Sequence, residues 1–136
     1  MKTFFFALAT FASTVLGQDI TQFPPTLDVL EVSHNTVTLL LTAGTKPIYN
    51  GFDVVAINID DGQSHVITFL TEGSECDRYV LRAGQSVRLV MGTAQPDLCR
   101  LGPDKLYCGT QYEFAVRPTG REIGTNSLVA ATLPCR

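Results

Sequence analysis

The chain has 136 residues, a formal net charge of −3 and no tryptophan. Its few basic residues are scattered, and a chain without a basic stripe is a poor partner for nucleic acid, which needs clustered positive charge. The length suits one domain with a modest core and is too short for two.

The N-terminal segment has the pattern of a secretory signal peptide. Lys2 precedes an apolar run from Phe4 to Leu16, and the small Gly17 comes directly before the polar Gln18. The run is shorter than the about 20 apolar residues that cross a bilayer. We therefore expect residues 1–17 to be removed and residues 18–136 to form a single secreted domain without a membrane anchor.

Short β-type segments follow in chain order, separated by turn residues, and none has the pattern of a long helix. The sequence predicts strands over residues 27–32, 37–41, 52–59, 65–70, 78–82, 87–91, 112–116 and 128–133, with an irregular stretch over 92–107. The Asp61-Gly62 dipeptide favours a tight hairpin turn between the third and fourth strands. Seven or eight strands without a helix predict an all-β fold, an antiparallel sandwich of two sheets.

Several motifs resemble the fibronectin type III module. They are a proline-rich entry at Pro24-Pro25-Thr26-Leu27, an alternating strand from Thr36 to Leu41, Gly51-Phe52-Asp53-Val54, the stretch from Leu106 to Val116, and the exit Thr132-Leu133-Pro134. Within the fourth motif Cys108 stands where the family usually has proline, and Leu41 ends a strand that usually ends in tryptophan. The resemblance covers most of residues 24–134 and implies an immunoglobulin-like topology. It also implies a tyrosine corner, in which the buried Tyr112 bonds through its hydroxyl to the loop before it.

Four cysteines lie in the predicted domain: Cys76, Cys99, Cys108 and Cys135. An even number in a small exported chain predicts two disulfides, and the CxxC or CxxH spacing of a zinc site is lacking. A hairpin of the last two strands, centred near residues 121 and 122, would place Cys108 opposite Cys135. This favours the pairs Cys108–Cys135 and Cys76–Cys99, while Cys99–Cys108 with Cys76–Cys135 is the alternative.

Residues that could carry chemistry are few. His34 and His65 have no nucleophile motif beside them, so we interpret both as solvated turn histidines. The acidic residues of Asp60-Asp61-Gly62 fit a hairpin turn better than a calcium loop, which needs more oxygen ligands at fixed spacing. We therefore expect no enzymatic activity, no cofactor and no metal.

The loop between the last two strands is the candidate partner contact, because a rigid sandwich displays its end loops. Arg121 and Ile123 are the residues in it that could anchor a partner. The sequence favours a secreted, extracellular binding or matrix protein that acts by protein–protein contact, including a component of an organic matrix. The alternative is a secreted effector, inhibitor or toxin-like ligand of a receptor or protease.

Overall fold

The computed structural model describes residues 23–92, 97–102, 105–120 and 123–136. The predicted signal peptide and Arg121 lie outside the described residues. Within the described ranges, eight strands and one short helix follow in chain order: β1 (Thr26–Val32), β2 (Val37–Thr42), β3 (Phe52–Asn58), β4 (Ser64–Phe69), a 3₁₀ helix (Ser74–Tyr79), β5 (Ser86–Met91), β6 (Arg100–Leu101), β7 (Gln111–Pro118) and β8 (Leu128–Ala131).

The strands form two antiparallel sheets, which confirms the predicted all-β sandwich. One sheet has the order β1-β2-β5 and the other the order β6-β4-β3-β7-β8. Alternation of buried and less buried residues separates the core from the surface most clearly in β7, where Tyr112, Phe114 and Val116 are buried and the residues between them are not. Burial of each large apolar side chain stabilises the fold by about 1.5–3 kcal/mol.

The prediction of a strand over residues 78–82 is wrong, because its first residues belong to the 3₁₀ helix Ser74–Tyr79. Cys76 and Tyr79 are both buried and lie three residues apart, which a helix with three residues per turn places on one side. The Tyr79 ring then packs edge-on against Phe69, with 4.9 Å between ring centroids. Leu81 makes only an isolated bridge with Ile48.

The two disulfides are Cys76–Cys99 and Cys108–Cys135, with Cα–Cα distances of 5.6 Å and 5.0 Å. These are the pairs that the hairpin argument favoured. The register behind that argument is nevertheless one residue in error, since Gln111 lies opposite Ala131. If the ladder continued past its end, Cys108 and Cys135 would be one position out of register. The disulfide bridges this difference of one residue.

Tyr112 lies at the start of β7, next to the corner from which the strand emerges. Its ring is buried, and its hydroxyl accepts a hydrogen bond of 2.7 Å from the backbone N–H of Tyr107. The contact satisfies an amide in the loop from which the strand emerges, and so ties that loop to the core.

Asp97 joins the 3₁₀ helix to the segment before β6. Its carboxylate accepts hydrogen bonds from Arg78 Nη2 (2.6 Å), the Tyr79 hydroxyl (3.2 Å) and the Cys99 backbone N–H (2.8 Å). Burial by itself raises the pKa of this carboxyl. The Cys99 hydrogen bond and the Arg78 guanidinium outweigh burial, so the pKa of Asp97 lies below its ordinary value.

Asp97 therefore links stability to pH. A lowered pKa in the folded state means that the carboxylate stabilises the protein above its ordinary pKa of 3.8 and that this contribution is lost as the pH falls through the folded-state pKa. We expect Asp97→Asn to lower the free energy of unfolding by about 1–2 kcal/mol at neutral pH, measured by urea denaturation. The difference from the native protein should shrink on acidification.

The exposed Asp77, on the same helix, provides the matched control. Asp77→Asn should change the free energy of unfolding by less than about 0.5 kcal/mol at any pH. If the Asp97→Asn difference stayed constant into strong acid, the ionised carboxylate would not be its source.

Candidate binding groove

A groove of about 630 Å³ lies at the end of the sandwich where β1 and β3 begin and β7 ends. Three segments that are distant in sequence form it: the entry to β1, the β2–β3 connection and the β7–β8 connection. Its lining residues are Phe23, Pro24 and Pro25, then Lys46, Ile48 and Asn50, then Pro118, Thr119, Gly120 and Ile123.

Phe23 lines the groove and is exposed, and its backbone is held in place. Its relative exposure is 66%. Its backbone N–H donates to Thr45 Oγ1 (2.7 Å), and its carbonyl accepts from the Thr45 N–H (2.9 Å). The Phe23 carbonyl also lies against Gly44, where any side chain would overlap it. The chain thus presents an aromatic ring to solvent from a fixed backbone.

Ile123 is a second exposed apolar residue of the lining, with a relative exposure of 62%. The loop that carries it is anchored on both sides. Thr119 donates to the Gly51 carbonyl (3.0 Å), while Thr125 donates to the Val116 carbonyl (2.8 Å) and accepts from the Val116 N–H through its hydroxyl (2.9 Å). The structure therefore places the predicted contact residue Ile123 in the groove, whereas Arg121 is outside the described residues.

The groove combines apolar walls with a single charge. Ile48 and Pro118 are buried residues of the lining, and Lys46 is the only charged residue in the described lining. Such a surface can bind apolar side chains and attract a carboxylate to the Lys46 ammonium.

The two histidines lie away from the groove. His34 Nδ1 is 2.8 Å from the Pro134 carbonyl, and Nε2 accepts a hydrogen bond of 2.8 Å from Arg136 Nε, so both ring nitrogens hold the C-terminal tail. The interpretation of His65 as a solvated turn residue is wrong. Strand alternation places it on the same face as Ile67, and its Nε2 is buried with no hydrogen-bond partner among the described residues.

The acidic turn after β3 uses its polar groups internally. Asn58 Oδ1 accepts from the Asp60 N–H (2.9 Å), and Asp61 Oδ1 accepts from the Gln63 N–H (2.8 Å). Gly62 adopts a φ of 75°, which favours glycine. Within the described ranges, no three His, Cys, Asp or Glu side chains are grouped so that they could hold a metal ion.

Sequence reasoning missed Phe23 and Lys46. Phe23 precedes the noted Pro24-Pro25 entry, and an aromatic residue at that point is a weak signal by itself. Its role depends on the distant Gly44 and Thr45, which no local pattern connects to it.

Comparison with known proteins adds no family to this description. No protein-family model matches the chain, and no curated protein matches it. In the part of the chain that the structure describes, no helix is long and apolar enough to cross a membrane.

Proposed function

We propose that the protein is a secreted, non-catalytic binding module of the fibronectin type III kind, which contacts an extracellular protein or matrix partner through the end groove. The observation that carries this proposal is the pair of exposed apolar residues in the groove lining: Phe23, whose backbone is hydrogen-bonded to Thr45, and Ile123, whose loop is hydrogen-bonded at Thr119 and Thr125. Apolar anchors that are ordered before binding lose little entropy on association, and a few such residues supply most of the affinity of an interface.

The family assignment and the export are supported by separate features. The Tyr112–Tyr107 hydrogen bond has the form of a tyrosine corner, which immunoglobulin-like sandwiches use. The two disulfides are of the kind that small exported domains use to supplement a modest core, and they persist in oxidising compartments.

The chemistry of the groove favours an extended protein segment as its ligand. Phenylalanine, isoleucine and proline side chains bind apolar groups, and the Lys46 ammonium favours a carboxylate beside them. A volume of about 630 Å³ accommodates a few side chains and not a folded domain. We therefore expect the partner to present an exposed segment with one or two apolar residues next to Asp or Glu.

Ile123→Ser should weaken binding of such segments by at least about tenfold, since it removes an apolar anchor. The measurement is binding of the secreted protein to a peptide array of extended sequences that vary in apolar and charged residues. Ile59→Ser is the matched control, because Ile59 is also exposed, at 43%, but lies on the β3–β4 turn at the opposite end of the sandwich. The control should bind as the native protein does.

Lys46→Glu tests the expected charge of the ligand on the same array. It should reverse the preference from acidic to basic peptides while leaving the requirement for an apolar residue. Peptide binding that Ile123→Ser and Lys46→Glu leave unchanged would contradict the groove as the binding site. Absence of binding to any extended peptide would contradict the ligand class.

A further inference from the structure

The outer face of the five-stranded sheet carries an apolar band. Strand register places Val66, Val55 and Ala115 in one row across β4, β3 and β7. Leu101 of β6 flanks the row on the same face at a relative exposure of 53%, and Val66 has an exposure of 39%. Ile57, the next residue of β3 on this outer face, extends the band.

The outer face of the three-stranded sheet is different. There the register aligns Asp28, Leu40 and Arg88 in one row, and Arg88 lies 3.7 Å from Glu31. A solvated face of an antiparallel sheet normally carries polar side chains of this kind. This face also carries apolar residues, Leu40 and Val90, but its central row has a charge at each edge, whereas the row of Val66, Val55 and Ala115 has none. An exposed apolar patch with a polar rim is typical of an interaction surface.

We propose that a second copy of this chain packs against this face, sheet on sheet, about a two-fold axis. The rim is self-complementary, since Asp53 and Arg117 lie opposite each other on β3 and β7 at one end of the band. A two-fold axis parallel to the strands, between β3 and β7, places Asp53 of each copy over Arg117 of the other. The same operation places Val55 of each copy over Ala115 of the other, so one symmetric contact joins both the charges and the apolar row.

The size of the face indicates a weak dimer. Across this axis the strands β4, β3, β7 and β8 of the two copies overlap. At a spacing of about 4.8 Å, with about five residues of each strand, they cover about 300 Å² on each copy. The total of about 600 Å² is below that of a standard stable interface and at the low, transient end of the range. The groove is at the end of the sandwich and not on this face, so a dimer would leave two grooves open and could bind a repetitive partner bivalently.

Sedimentation velocity of the secreted protein over a concentration series tests this dimer. We expect concentration-dependent dimerisation with a Kd between about 10 μM and 1 mM. Val66→Lys, in the apolar band, should weaken dimerisation by at least about tenfold. Val90→Lys is the matched control, because Val90 has an exposure of 38% on the outer face of the other sheet. It should dimerise as the native protein does.

Arg117→Glu tests the same contact at an exposed position outside the apolar row, and remains informative if Val66→Lys does not fold. It should also weaken dimerisation by at least about tenfold, because two like-charged pairs replace two opposite ones. A native protein that is monomeric throughout the series would overturn the proposal. Dimers that persist unchanged in Arg117→Glu or Val66→Lys would also overturn it, as would an equal loss in Val90→Lys.

Discussion

Replacement of Cys76 and Cys99 together by alanine should lower the free energy of unfolding by about 4–5 kcal/mol. The disulfide closes a loop with a sequence separation of 23 residues, and the loss of that constraint on the unfolded chain accounts for about 3.5 kcal/mol. Both cysteines are buried, so their removal also leaves a small cavity that costs about 1 kcal/mol more. The total free energy of unfolding of a small domain is about 5–15 kcal/mol, so this change would bring the protein close to unfolding.

The second disulfide provides the comparison. Cys108–Cys135 has a sequence separation of 27 residues and therefore nearly the same entropic effect. Cys135 is exposed and Cys108 half-buried, so the cavity contribution should be small. We expect the Cys108→Ala, Cys135→Ala double variant to lose about 3–4 kcal/mol, measured by urea denaturation of both variants and the native protein. A larger loss at Cys108–Cys135 than at Cys76–Cys99 would contradict the placement of the buried disulfide.

Tyr112→Phe should lower the free energy of unfolding by about 1–3 kcal/mol. The substitution keeps the buried ring but removes the hydroxyl that accepts the Tyr107 N–H, and leaves that amide without its partner. Thermal or urea denaturation measures the loss. Hydrogen exchange gives a more specific measurement, because the Tyr107 amide should lose protection while amides in the centre of β3 keep theirs.

Tyr49→Phe is the matched control, since Tyr49 is 53% exposed and removal of its hydroxyl should change stability by less than about 0.5 kcal/mol. Equal stabilities of Tyr112→Phe and the native protein, with unchanged exchange at Tyr107, would show that the hydroxyl does not hold the corner.

The elements that the sequence predicts well are those whose pattern is local. The alternation of apolar and polar residues predicted the bounds of β2 and β7 to within one or two residues, because one face of each strand is buried along its whole length. The 3₁₀ helix was missed because its cause is tertiary: Tyr79 turns inward to pack on Phe69, and Asp97 holds it there. The two-residue β6 was missed for a similar reason, since it exists only through its pairing with β4.

The binding surfaces depend on register and long-range contact, so the sequence showed them only in part. Ile123 was identified because an end loop of a sandwich is exposed. Phe23 was not identified, because it reaches its position in the groove lining through hydrogen bonds to Thr45, 22 residues away. The apolar row of Val66, Val55 and Ala115 is recognised only when three strands are aligned. A one-residue error in the predicted register, such as the error for β7 and β8, would place these residues in different rows.

Intact and peptide mass spectrometry of the protein purified from the extracellular medium of its own source, unreduced and reduced, tests the central claim that this is an exported, disulfide-stapled module. We expect a chain that begins at Gln18 and gains four hydrogens on reduction, one for each of its four cysteines. We also expect Cys76 to be recovered linked to Cys99, and Cys108 to Cys135. A protein found only inside cells, with residues 1–17 retained or its thiols free, would contradict the claim and with it an extracellular partner for the groove.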